Sequence, residues 1–127
     1  PWQPYSVCAL DSVAEEFIPS QQHDKYMCRA VTASDNWSEK YPAIVHVDKS
    51  TETQIVDSVS NPNLHKLLLS FQNETGHGML INARLNRPGE ALVCSPEDAL
   101  NMFLGTDLDY LIMEGVLVSK RESSDEW

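Results

Sequence analysis

The chain has 127 residues and 42% hydrophobic content, enough to bury one core, so a single domain is expected. Nine Lys and Arg against 19 Asp and Glu give a formal net charge of -10, with no basic and aromatic cluster to offset it, which excludes nucleic acid and anionic membrane as partners. No apolar stretch approaches the roughly 20 residues of a membrane span, and the N-terminus carries neither a basic n-region nor an apolar h-region. The three cysteines, Cys8, Cys28 and Cys94, form no CxxC pair, which points to reduced thiols and a cytoplasmic location. The sequence starts at Pro1 inside what reads as an ordered segment, so an excised domain or a fragment of a longer chain is expected.

In chain order, "ALDSVAEEFI" spaces Val13, Ala14 and Phe17 as a short helix behind Asp11 or Ser12, ended by Pro19. "KYMCRAVTA" reads as a strand and "SDNWSEKYP" as polar turns. "AIVHVD" and "TQIVDSV" read as two strands around "KSTE". The clearest helix follows, with Asn61 before Pro62, Leu64, Leu67, Leu68 and Phe71 on one stripe, and Gly76 past the end. "GMLIN" and "EALVCS" read as strands. "SPEDALNMFLGT" predicts a second helix, with Ser95 as N-cap, Pro96 in the first turn, Glu97 and Asp98 at its positive end, and Gly105 near the close. "LDYLIMEGVLVSKR" is strand material broken at Glu114-Gly115, and "ESSDEW" reads as a frayed tail. Alternating strands and helices predict an α/β (α+β) domain with helices packed on a twisted sheet.

Four histidines, His23, His46, His65 and His77, lack HxH or HxxxH spacing, so no metal site is expected. His46 lies inside an apolar run and is read first as a satisfied core histidine, second as a ligand contact. Asp48 and Ser50 sit at the end of the same run, where an Asx turn and a ligand contact are equally open. Phosphate cradles and hydrolase elbows of the GxxxxGK[ST], GxSxG and GxGxxG types are absent, and no base accompanies the thiols. Asn82 and Asn86 place two carboxamides four residues apart on a stretch leaving a strand. They can satisfy their own loop backbone, or read a purine edge, a ribose or a carbamoyl amide.

Read together, four stretches resemble the C-terminal domain of the O-carbamoyltransferases of the nodulation, cephamycin and tobramycin type. They are "WQPYSVCAL", "PAIVHVDKSTETQIV", "NPNLHKLLLSFQNETG" and "LINARLNRPGEALVCSPEDALNMFLGTDLDYLIM". The resemblance is colinear over nearly the whole chain. It implies a YrdC-like twisted mixed sheet with packed helices, incomplete on its N-terminal side, that makes carbamoyl-adenylate from ATP and carbamoyl phosphate. It also implies an N-terminal domain of the same protein, outside this chain, that holds a metal and transfers the carbamoyl group to an acceptor hydroxyl. The substrate-binding residues so implied are His46, Asp48, Ser50, Asn82, Arg84, Asn86, Arg87, Gly89 and Glu90, with no catalytic residue assigned and no cofactor held by this chain.

Such chemistry splits and remakes an anhydride at an α-phosphate, so it needs fixed cations around the transition state, and arginine's planar fork serves best. Here the chain departs from the family pattern. Family arginines fall on Gln3 and Glu52, a basic residue falls on Pro88, a glycine on Lys49, and Thr-Ser on Ala83-Arg84. Lys49, Arg84 and Arg87 are the cations placed to compensate. Two readings follow: an active adenylate-forming domain, or a diverged copy retained for structure or partner binding.

Overall fold

The computed structural model describes residues 4–18 and 23–120, and the chain divides between Ala83 and Arg84 into two compact units. The content is mixed, with seven strands and four helices among the described residues, as an α+β fold requires.

The first unit is organised by β1 (Ser6–Leu10), a strand whose residues Val7 to Leu10 are all buried. It pairs in parallel with β4 (Thr53–Val56) and antiparallel with β5 (Met79–Asn82), giving the mixed order β4-β1-β5. A strand buried on both faces reads as continuous apolar sequence, and "VCAL" is that. One face of the sheet carries Val7, Ala9, Ile55 and Met79 into a core with Trp37 and Ile44. The opposite face presents Cys8, Leu10 and Val56 to Leu68 of α3 (Pro62–Thr75).

Helix α3 starts and stops as its sequence dictates. The Asn61 side chain accepts from Leu64 N–H, Pro62 fills the first turn, and Gly76 closes the helix at φ 77°. Leu68 is fully buried and Leu64 packs beside it, whereas Leu67 is 53% exposed, so the buried stripe is narrower than the predicted one.

Several predicted elements change. The first helix shrinks to one turn, α1 (Asp11–Ala14), because Asp11 spends its carboxylate on Ser12 N–H inside the helix, leaving Leu10 at the cap with no side-chain bond; Pro19 lies outside the described residues. Of "KYMCRAVTA" only β2 (Val31–Thr32) is strand, paired with β3 (Ser50–Thr51). Upstream, the Asp24 carboxylate accepts from Tyr26 and Cys28 N–H and folds the chain into turns. "SDNWSEKYP" contains helix α2 (Asp35–Lys40), capped by Ser34 on Trp37 N–H, whose single core residue Trp37 is completely buried against Phe17, ring centroids 4.5 Å apart. "AIVHVD" is not a strand: Pro42–Ile44 form a 3-10 turn and His46 to Ser50 a tight reversal, with Val47 fully exposed.

In the second unit, α4 (Pro96–Leu104) begins as predicted. The Ser95 hydroxyl accepts from Asp98 N–H, and Glu97 and Asp98 occupy the first turn. Ala99 and Phe103 pack on Leu111 of the hairpin β6 (Tyr110–Met113) and β7 (Val116–Ser119). Glu114 and Gly115, at φ 49° and 81°, form the two-residue turn whose twist suits antiparallel strands. "EALVCS" is irregular, joined to the rest of the unit by Val93 N–H to Leu85 C=O. Among the described residues no helix is long and apolar enough to cross a membrane. The tail "ESSDEW" lies outside the described residues.

Candidate functional site

The predicted site residues sit in three local arrangements. In the first, His46, Asp48 and Ser50 share one reversal: His46 N–H donates to Ser50 C=O at 2.8 Å and Lys49 N–H returns to His46 C=O at 2.9 Å. Asp48 accepts from Ser50 N–H at 2.9 Å, which is the Asx turn. Hydrogen bonds from the Ser50 hydroxyl and N–H, with the nearby His46, hold the Asp48 carboxyl below its ordinary range. His46 is half-buried, not a core residue, and its ring makes no hydrogen bond among the described residues. Lys49 adopts φ 65° and its ammonium lies 2.5 Å from Asp35.

The second arrangement runs across the end of the sheet. Asn82, last residue of β5, is directly opposite Ser6 of β1, and the Ser6 hydroxyl donates to the Glu52 carboxylate at 3.2 Å. Glu52 N-terminally adjoins β4, which pairs Val7 with Thr53, so Glu52, Ser6 and Asn82 form one row on the face that carries Cys8 and Leu80. The Asn82 side-chain amide donates to Met27 Sδ at 3.9 Å.

The third arrangement lies wholly in the second unit. The Asn86 side-chain NH₂ donates to two carbonyls, Arg87 at 3.1 Å and Glu90 at 3.0 Å. Gly89, at φ 84°, makes the left-handed step that brings Glu90 back, a conformation open to glycine at no steric cost. Arg87 reaches the other way: its Nη2 donates to Asn101 C=O at 2.7 Å and its Nη1 lies 3.6 Å from Glu90. A Cβ on Gly105 would stand 1.8 Å from that Nη2, so the guanidinium occupies space that only glycine leaves. Arg84 is exposed, with no side-chain hydrogen bond or ion pair among the described residues. Asn86, Arg87, Glu90, Val93, Asp98 and Asn101 are among the walls of a cavity of about 370 Å³. Cys94 lines it too. Its thiol donates to Asp98, whose negative charge raises the thiol's pKa and so disfavours the thiolate a nucleophile needs.

The comparisons with known proteins cover the same residues. The family described as carbamoyltransferase C-terminus matches residues 1–120. The chain belongs to that family. Similar proteins include nodulation protein NolNO of Sinorhizobium fredii, 30% identical over 128 residues that are 98% of this chain and 19% of that protein. Nodulation protein NolO of Bradyrhizobium diazoefficiens is 31% identical over 130 residues, 99% of this chain and 24% of that protein. The uncharacterized protein MJ1058 of Methanocaldococcus jannaschii is 32% identical over 122 residues, 95% of this chain and 20% of that protein. The carbamoyltransferase C-terminus chain thus spans about a fifth of the length of these relatives.

Within this carbamoyltransferase C-terminus domain the residues expected to depart from the family pattern have definite surroundings. Lys49 stands in a left-handed conformation that glycine adopts freely, and its charge is engaged by Asp35. Glu52 places a carboxylate in the row of Asn82. Of the three cations placed to compensate, Lys49 and Arg87 are held by intrachain partners and Arg84 is open. Gln3 lies outside the described residues. Sequence reasoning missed Ser6, which the alternation in "SVCAL" places beside Asn82, and Gly105, for whose contact with Arg87 the sequence offers no signal.

Proposed function

We propose that this chain is part of an ATP-dependent O-carbamoyltransferase, as the domain that forms carbamoyl-adenylate from carbamoyl phosphate and ATP in the cytoplasm. An N-terminal metal-binding domain of the same protein then transfers the carbamoyl group to an acceptor hydroxyl. The observation that supports this most is family membership across residues 1–120. Substrate-facing groups in this reading are His46, Asp48, Ser50 and Asn82 in the first unit, and Arg84, Asn86, Arg87, Gly89 and Glu90 in the second. Arg84 is the free cation for phosphate. Its planar guanidinium can take two oxygens at once and offset charge that accumulates as the anhydride forms.

Glu52 favours a second reading, a diverged copy without adenylate chemistry, since a carboxylate beside Asn82 repels phosphate. Calorimetric titration of ATP and carbamoyl phosphate into the full-length gene product separates the two. Heat for both ligands supports the enzyme, and a folded protein that takes up neither refutes it. The Glu52→Arg variant sharpens the result, because restoring the family's cation should tighten ATP binding about tenfold or more.

A further inference from the structure

We infer that residues 24–29 form a strap across the end of the sheet that competes with ligands for Asn82, so that a ligand reaching this carboxamide must first displace Met27. The strap is tied down on the β4 side. Asp24 C=O accepts from Ile55 N–H at 2.8 Å, on the edge of β4 that β1 does not occupy, and Lys25 Nζ lies 2.7 Å from the carboxylate of Asp57, one residue past that strand. From there the segment reaches the opposite edge strand: the Asn82 side chain, at the end of β5, donates to Met27 Sδ at 3.9 Å. Lys25, Tyr26, Cys28 and Arg29 are exposed and Met27 between them is half-buried, so the strap turns one side chain toward the sheet.

That orientation is held against backbone strain. Met27 stands at φ 52°, a conformation unfavourable to any residue with a Cβ. It persists because the Asp24 carboxylate accepts from Tyr26 N–H at 2.8 Å and from Cys28 N–H at 3.0 Å, one on each side of Met27. Strain that survives only where the surroundings over-determine it is characteristic of clamps and switches. The contact secured in this way is weak in itself: a thioether is a poor acceptor, and a ligand oxygen would take the Asn82 amide hydrogen in its place. Release of Met27 also relieves its backbone, so a ligand that bonds Asn82 favours the open strap.

This inference rests on Asn82 facing a ligand, as in the carbamoyl-adenylate reading, and its test separates the two. Calorimetry with ATP and with carbamoyl phosphate is run on the full-length gene product and on its Met27→Ala and Lys25→Ala variants. The first variant removes the side chain that covers Asn82; the second loosens the strap at the far edge of the sheet. Both should bind at least one of the two ligands about three- to tenfold tighter than wild type, because the apparent dissociation constant falls as the open fraction rises. In the wild type, amide exchange at Tyr26 and Cys28 should quicken when that ligand is added, since their bonds to Asp24 loosen with the strap. Unchanged or weaker binding in either variant overturns the strap and leaves the enzyme reading intact. Slower exchange with ligand does the same, because it would make the segment a lid that closes on its ligand. Binding by the variants but not by wild type supports both readings, and no binding by any of the three proteins overturns both. Neither Met27 nor Lys25 belongs to a buried cluster, so both variants should fold; should one not, the exchange measurement on wild type decides.

Discussion

Gly105→Ala probes the contact between Arg87 and the end of α4. The added Cβ would lie 1.8 Å from Arg87 Nη2 and 2.7 Å from its Cζ, so the guanidinium must leave, and its 2.7 Å bond to Asn101 C=O goes with it. A hydrogen bond from a charged group contributes about 1.5–3 kcal/mol; with the Arg87 side chain 36% exposed, solvent screening brings this to about 1–2 kcal/mol. Opposing it, Gly105 has φ -94°, which alanine adopts without strain, so the substitution gains about 0.4–1 kcal/mol by restricting the unfolded chain. The net expectation is a loss of about 0–1.6 kcal/mol. In an Arg87→Ala background there is no guanidinium to displace, and only the Asn101 carbonyl, 3.2 Å from the added Cβ, still opposes the gain, so the same substitution should cost less than in wild type. Amide hydrogen exchange across Pro96–Leu104 in the full-length gene product, measured for the four members of this cycle, reads the local free energy. A Gly105→Ala effect of the same sign and size in both backgrounds would refute the coupling.

Leu68→Ala, at a site with no solvent exposure beneath the sheet, should lower stability by about 2–5 kcal/mol in urea unfolding, and a loss under 1 kcal/mol would mean the cavity collapses or α3 packs elsewhere. Lys49→Gly should leave stability unchanged or raise it by up to about 1 kcal/mol, because relief of the left-handed strain outweighs one exposed ion pair, whereas Lys49→Val should lower the thermal midpoint. Asp57 accepts from Lys25 and from the N–H and hydroxyl of Ser60, which depress its pKa, so its contribution is present above the ordinary carboxylate range near pH 4 and drains away as pH falls below it. Thermal midpoints between pH 2 and 6 should therefore fall less steeply in Asp57→Asn than in wild type, and parallel curves would show that other carboxylates carry the acid sensitivity.

Elements whose ends are written in side chains were legible. Asn61-Pro62 and Ser95-Pro96 announce α3 and α4 because cap, proline and periodic core positions agree in each. Helix α2 was hidden because a six-residue helix with one buried residue shows no period, although Ser34 and Asp35 carried its capping chemistry. "AIVHVD" misled in the opposite sense: β-branched composition favours a strand, but Pro42 and the Asx turn at Asp48 bend the backbone before it can pair. For the candidate site, the identity of the loop residues came from sequence, while their commitments did not. That Lys49 answers to Asp35 and Arg87 to Asn101 depends on contacts 14 residues away in each case, and nothing local in the chain encodes them.

The pairing of β1 also bears on how the protein is made. This strand is buried on both faces, yet its partners, β4 and β5, end 46 and 72 residues after it. At about 5–20 residues per second, a ribosome leaves "VCAL" without its second neighbour for several seconds. During that interval a short, uncharged apolar strand with open edges is a target for chaperones and for copies of itself. The hairpin of β6 and β7, by contrast, closes on microsecond timescales once its two-residue turn emerges. Translation rate therefore sets how far the central strand's partners lag behind the folding chain, and yield at low and high translation rates is the quantity that reads it.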